Sequence, residues 1–206
     1  MSDLIIKPSG TSANFKVQNP SGTDKIVMNS SGTITTGTLG SGVTFPAGMM
    51  IGIEQNQFNT NYSITSTQSN TFYQFKDASD NPLRTTISNC RSGSKILISC
   101  YLHYSINETN RAAKFRLVDA TNSDATIGTE GTGGLFGYFD TYSAYGGILV
   151  SYEILYEPPS FSSGSFSVDL YGAIDDPGET LSINDSHSGG TVREFSSNII
   201  LKEIAG

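Results

Sequence analysis

The chain has two imidazoles, His103 and His187. His187 lies in Asn184-Asp185-Ser186-His187-Ser188-Gly189-Gly190, where a carboxylate, a hydroxyl and an imidazole fall on consecutive residues. A Ser-His-Asp device needs those groups joined in a hydrogen-bonded relay by the fold, and adjacency along a turn does not provide it. The strand–turn–helix pattern of a nucleophile elbow is also missing, so His187 reads as a turn residue and His103, in mid-strand, as a packing or rim residue. Asp175, Asp176 and Glu179 form the densest acidic cluster. Two acids across a groove could cleave a glycosidic bond, but beside Pro177-Gly178 these three decorate a turn. Asp77-Ala78-Ser79-Asp80-Asn81-Pro82 gathers a few oxygen ligands in one loop, fewer than the roughly six to eight that a calcium ion takes. Gly131-Thr132-Gly133-Gly134 has no Lys-Ser or Lys-Thr after it, as a phosphate-cradling loop would. Cys90 and Cys100 are too few for a disulfide framework or a four-cysteine zinc site. They could face each other on a hairpin; the plainer expectation is two reduced, partly buried thiols. These residues predict no catalytic centre, no metal and no cofactor, hence a chain that is not an enzyme.

Recognition chemistry is better represented. Between Gly131 and Gly147 stand Tyr138, Phe139, Asp140, Tyr142 and Tyr145, interleaved with Gly, Ser and Thr. Tyrosine offers a rigid apolar face and a polar tip at low entropic cost, which suits adaptable recognition loops. Tyr138, Asp140, Tyr142 and Tyr145 are therefore the candidate receptor-binding residues of an exposed loop, facing a cell-surface glycan or protein. The competing reading is a Tyr-rich loop folded over the body or packed at a subunit contact. The chain has no Trp, the strongest sugar-stacking platform, which weighs against the glycan.

The elements that must carry these residues read as strands. Of 206 residues, 29 are Ser, 21 Thr and 22 Gly, which are mediocre to poor in helix interiors, while Thr, Tyr and Phe suit a pleated surface. From Lys95 to Ser105 the alternation is complete: Ile96, Ile98, Cys100, Leu102 and Tyr104 share one face, and Leu97, Ser99, Tyr101 and His103 the other. Further strands are predicted over 49–55, 71–75, 113–118, 148–156, 165–174, 180–184, 190–193 and 198–204. Eight to ten strands with Gly, Ser, Asn and Asp between them fit an antiparallel β-sandwich of jelly-roll type over residues 46–206. The apolar last strand must be interior or an interface, because exposed it would be an edge liability.

Residues 1–45 differ. Val17-Gln18-Asn19-Pro20-Ser21-Gly22-Thr23 repeats as Val27-Met28-Asn29-Ser30-Ser31-Gly32-Thr33, giving short strands separated by tight turns. Phe15, Val17, Ile26, Met28 and Ile34 are too few for an independent core, which points either to an intertwined homotrimeric β shaft with these five at the interface or to disorder.

The net charge of −7 and the lack of any basic run exclude a nucleic-acid stripe and disfavour an anionic membrane surface. No apolar run approaches the ~20 residues of a spanning helix, so no membrane insertion is expected. Met1-Ser2-Asp3-Leu4-Ile5-Ile6-Lys7-Pro8 lacks the basic start and long apolar stretch of a secretory signal, and synthesis in a cytoplasm is expected.

Several stretches resemble a family. Residues 13–33 and Gly37-Thr38-Leu39-Gly40-Ser41-Gly42-Val43-Thr44-Phe45-Pro46-Ala47-Gly48 resemble linker and shaft repeats of tailed-bacteriophage fibre proteins, especially of marine and cyanobacterial phages. The close Asn198-Ile199-Ile200-Leu201-Lys202-Glu203-Ile204-Ala205-Gly206 and the strand start Gly93-Ser94-Lys95-Ile96-Leu97-Ile98 are similar to the same proteins. The resemblance covers about a third of the chain and implies a homotrimeric virion protein with a C-terminal sandwich knob, attached to other virion proteins by its N-terminal segment. It carries over no catalytic residues. The chain is short for a tail fibre, which raises a head fibre or a capsid decoration or cement protein as alternatives, with a lone carbohydrate-binding module as the alternative outside the family.

Overall fold

The computed structural model describes residues 15–18, 20–21, 24–28, 34–36, 45–108, 111–128, 135–141, 148–162, 164–184 and 196–206. Among them all regular structure is strand: β1 (Phe15–Gln18), β2 (Asp24–Met28), β3 (Ile34–Thr36), β4 (Met50–Phe58), β5 (Tyr62–Thr65), β6 (Tyr73–Gln74), β7 (Arg84–Ile87), β8 (Lys95–Ile106), β9 (Arg111–Asp119), β10 (Ala125–Ile127), β11 (Leu135–Thr141), β12 (Ile148–Tyr156), β13 (Phe166–Ile174), β14 (Thr180–Ile183) and β15 (Ser197–Ile204). The protein is all-β, and the pairings between these strands are antiparallel. The chain divides into two compact units, Met1–Thr44 and Phe45–Gly206.

The first unit is a meander, β1-β2-β3. Its register sets Phe15 opposite Met28, Val17 opposite Ile26, and Met28 opposite Ile34, so all five expected interface positions share one face. On that face Val17 is 42 % and Ile26 36 % exposed, whereas Val27, on the other, is buried.

The second unit is a sandwich of two sheets. In one, the long β8 has β12 along one side and β15 followed by β14 along the other, with β4 beyond β15 and β5 beyond β14. In the other, β9 and β13 form the centre, flanked by β10 and β11 on the β9 side and by β6 and β7 on the β13 side. The period-two alternation of β8 sends Ile96, Ile98, Cys100, Leu102 and Tyr104 into the space between the sheets, where none is exposed. Phe115, Leu117, Phe166, Val168 and Leu170 meet them from β9 and β13, and the Tyr104 and Phe115 rings pack edge to face at 5.0 Å. β15 lies between β4 and β8, which settles the terminal strand as interior.

Twelve strands are described in this unit, more than expected. β5, β7, β10 and β11 were not legible, because they are short, flanked by polar residues or, in β7, built of Arg-Thr-Thr-Ile with only its alternate residues buried. The strand expected over 71–75 contracts to β6, and Phe75 beside it is buried in the core, its N–H donating to Leu170 O of β13 at 3.0 Å. The strand expected over 190–193 lies outside the described residues. Cys90 and Cys100 are buried free thiols; Cys100 points into the core from β8 and Cys90 sits in the loop before it.

Candidate functional site

The Tyr-rich segment is in part a strand. Residues 135–141 form β11, antiparallel to β9, and a bulge between Phe136 and Tyr138 resets the register so that Tyr138 stands opposite Lys114 and Asp140 opposite Ala112. The expectation of one continuous loop is corrected there: Leu135, Phe136, Tyr138 and Phe139 are β-forming residues that pair rather than loop. Tyr142 and Tyr145 lie outside the described residues, as does His187. The backbone register thus places two of the four candidate receptor residues on one strand.

The fold builds a second polar and aromatic surface from separate stretches of the chain. Where β5 and β6 close one side of the sandwich, the two sheets touch through a single bridge, Ser63 to Lys76. Beside it opens a groove of about 730 Å³, lined among others by Asn61, Thr65, Phe72, Tyr73, Gln74 and Lys76. Each of its central side chains is held. The Arg116 guanidinium lies 3.9 Å over the Phe72 ring. Tyr73 Oη and Thr67 Oγ1 are 2.6 Å apart. Gln74 Nε2 donates to Asp169 Oδ2 at 2.6 Å. Asp169 is buried, and Arg84 reaches it through Nε to Oδ1 and Nη2 to Oδ2. These hydrogen bonds raise the Arg84 pKa above its ordinary value. The adjacent aromatics Phe72-Tyr73, followed by an amide, were the available sequence signal.

The loop closing the groove is self-sufficient. Asp77 Oδ1 accepts from the N–H groups of Ser79 and Asn81 at 2.8 and 2.9 Å, and Oδ2 from Asn81 Nδ2 at 3.0 Å. Hydrogen bonds from Asn81 first, and from Ser79, hold Asp77 below the ordinary carboxylate range. Lys76 pairs with Asp80 at 2.9 Å. The Asp77 carboxylate is thus engaged by its own loop. Among the described residues no three His, Cys, Asp or Glu are grouped to hold a metal ion.

The remaining candidates are structural. Asp175 Oδ1 accepts from Ala112 N–H, and Asp176 pairs with Arg111 at 2.8 Å, so both tie the 174–180 turn to β9. His103 lies on the outer face of β8, its N–H donating to Ser197 Oγ at 2.9 Å. Held aromatic rings, an amide and hydroxyls around an open groove can bind a polar, hydroxyl-rich molecule.

No family model matches the chain, and no curated protein matches it. Among solved structures it is similar to the VP2 subviral particle of infectious bursal disease virus, at 9 % identity and a TM-score of 0.40 over 76 % of this chain and 38 % of that one. It is also similar to dimeric latent PorU from Porphyromonas gingivalis, at 8 % identity and a TM-score of 0.32, covering 86 % of this chain and 15 % of that one. A third is the enzymatically active domain of tailspike protein 4 of bacteriophage CBA120, at 9 % identity and 0.26, covering 76 % and 18 %. The chain spans less than two fifths of each of these proteins, and none assigns it to a family.

Proposed function

We propose that the chain is a non-enzymatic virion structural protein, a homotrimeric bacteriophage fibre of tail or head. Its first 45 residues attach to other virion proteins, and its sandwich faces outward to a host-surface glycan or protein. The observation that carries this reading is the single apolar stripe of Phe15, Val17, Ile26, Met28 and Ile34 in β1–β3, with Val17 and Ile26 open to solvent. A sheet of three strands, each of three to five residues, cannot bury such a stripe by itself; sister copies around a three-fold axis can. The fibre-like repeats that flank these strands supply the virion context. Light scattering on the full chain and on a Val17→Asp/Ile26→Asp variant tests it. The reading expects a subunit number divisible by three for the natural chain and loss of that factor in the variant; an unchanged subunit number overturns it.

The groove favours a second reading, a carbohydrate-binding module, because Phe72, Tyr73 and Gln74 are held in place with an aromatic and amide surface. Saccharides are recognised by such rings and by fixed hydrogen-bonding groups.

A further inference from the structure

We propose that β12 is a self-association edge, through which two copies of this chain pair antiparallel about a two-fold axis passing beside Tyr152. Among the described residues only β8 pairs with β12, over all nine of its residues. Among the described residues the other side of β12 is thus a sheet edge, with the composition of a strand that another strand covers. It contains no Pro, Lys, Arg or Gly, and its pairing with β8 has no bulge. Ile148, Val150, Tyr152, Ile154 and Tyr156 point toward the sandwich; on the outward face Leu149 and Leu155, 59 % and 50 % exposed, flank Ser151 and Glu153. The opposite edge, β4, is built the other way. It carries Glu54 and Asn56 on its inward-pointing positions and a bulge opposite Glu203 and Ile204.

On β12 only Val150, opposite Leu102, is buried. Ile96, Ile98, Cys100 and Tyr104 of β8 have no exposure, while their direct neighbours Tyr156, Ile154, Tyr152 and Ile148 are only half-buried. A strand laid along the edge would complete that burial.

The sequence of β12 identifies the strand. Ile-Leu-Val-Ser-Tyr-Glu-Ile-Leu-Tyr is nearly palindromic about Tyr152. In the antiparallel register centred there, Leu149 faces Leu155, Val150 faces Ile154, and Ser151 faces Glu153, each twice by symmetry. Centring one pair along, on Glu153, sets two carboxylates opposite each other; centring on Ser151 sets Leu149 against Glu153. Odd shifts swap the faces. One register alone pairs like with like and keeps the charges apart, which a foreign partner strand would not require. The pairing is independent of the three-fold contact proposed for β1–β3 and contributes its own factor of two to the subunit number.

The test is the subunit number of the full chain by light scattering, for the natural sequence, Ser151→Glu and Ser151→Lys. Ser151 is exposed, so neither change burdens folding. Ser151→Glu opposes Glu153 of the second copy and should weaken pairing at least roughly tenfold, halving the subunit number. Ser151→Lys places an ammonium there and should hold or tighten it. A Leu149→Cys/Leu155→Cys variant should cross-link into covalent dimers under mild oxidation. An odd or open-ended subunit number for the natural chain, equal behaviour of the two Ser151 variants, or no cross-link overturns the proposal. Failure of the three-fold reading shows separately, in the Val17→Asp/Ile26→Asp variant.

Discussion

Arg84 on β7 grips Asp169 on β13 with two nitrogens, at 2.6 and 2.7 Å, and this pair joins the core to the groove. Asp169 is 1 % exposed, so its charge depends on these partners and on Gln74. Removing the guanidinium leaves a buried carboxylate short of donors. Arg84→Met should lower stability by about 2 kcal/mol, less than for a fully buried pair because Arg84 itself is 43 % exposed. Arg84→Lys should recover part of this, since one ammonium cannot make the two-pronged contact. Urea midpoints at constant m-value measure both.

Gly172 sets how closely the sheets approach. A Cβ at this position on β13 would come within 2.6 Å of the Phe75 ring and 2.9 Å of Leu181. Both neighbours are fully buried and have nowhere to retreat. Gly172→Ala should therefore cost about 1–3 kcal/mol through overpacking, although alanine is ordinarily neutral or favourable in exchange for glycine. Truncating the obstacle as well, in Gly172→Ala/Phe75→Leu, should cost less than the two single changes added together.

The long strands announced themselves because burial on one face forces strict alternation: β12 has the expected bounds, and β8 and β13 differ by one residue at one end. β5 and β7 were silent for the opposite reason. In each, two inward residues face a sheet flank and the rest are polar, so no periodic signal builds up over four residues. The groove was illegible because its parts come from separate stretches: Gln74 owes its position to Asp169 and Arg84, and Phe72 to Arg116. The stripe on β1–β3 comes from the hairpin register, which sets Phe15 opposite Met28 and Val17 opposite Ile26, whereas the ten-residue repeat matches Val17 to Val27 on the other face.

Burial, and secondarily the charge of Glu203, pushes the Cys90 thiol up to about 11 from an ordinary value of 9.0. Between these values the unfolded chain releases a proton that the folded chain retains. The contribution to stability is thus complete below pH 9.0 and is lost as pH rises toward 11. The loss is on the order of 2–3 kcal/mol. Cys100 shifts in the same direction through burial alone. Cys90→Ala should flatten part of the alkaline fall in stability, read as urea midpoints across pH 8–11. At pH 8 the folded chain should react with a thiol reagent far more slowly than the chain in urea.

In the groove, the order of support runs from Arg84 to Asp169 to Gln74, so ligand affinity and core electrostatics are coupled. If saccharides bind here, Tyr73→Ala and Gln74→Ala should each reduce binding on a glycan array or by calorimetry at least roughly tenfold, the loss of one well-placed ring or hydrogen-bonding group. Arg84→Met should weaken the same binding without adjoining the ligand, because it removes the two-pronged grip that fixes the Asp169 carboxylate on which Gln74 is anchored. Tyr142→Ala and Tyr145→Ala should leave it unchanged. The reverse pattern, with binding lost at Tyr142 and Tyr145 and kept at Tyr73 and Gln74, would assign recognition to the Tyr-rich segment and leave the groove as the seam where two sheet flanks meet.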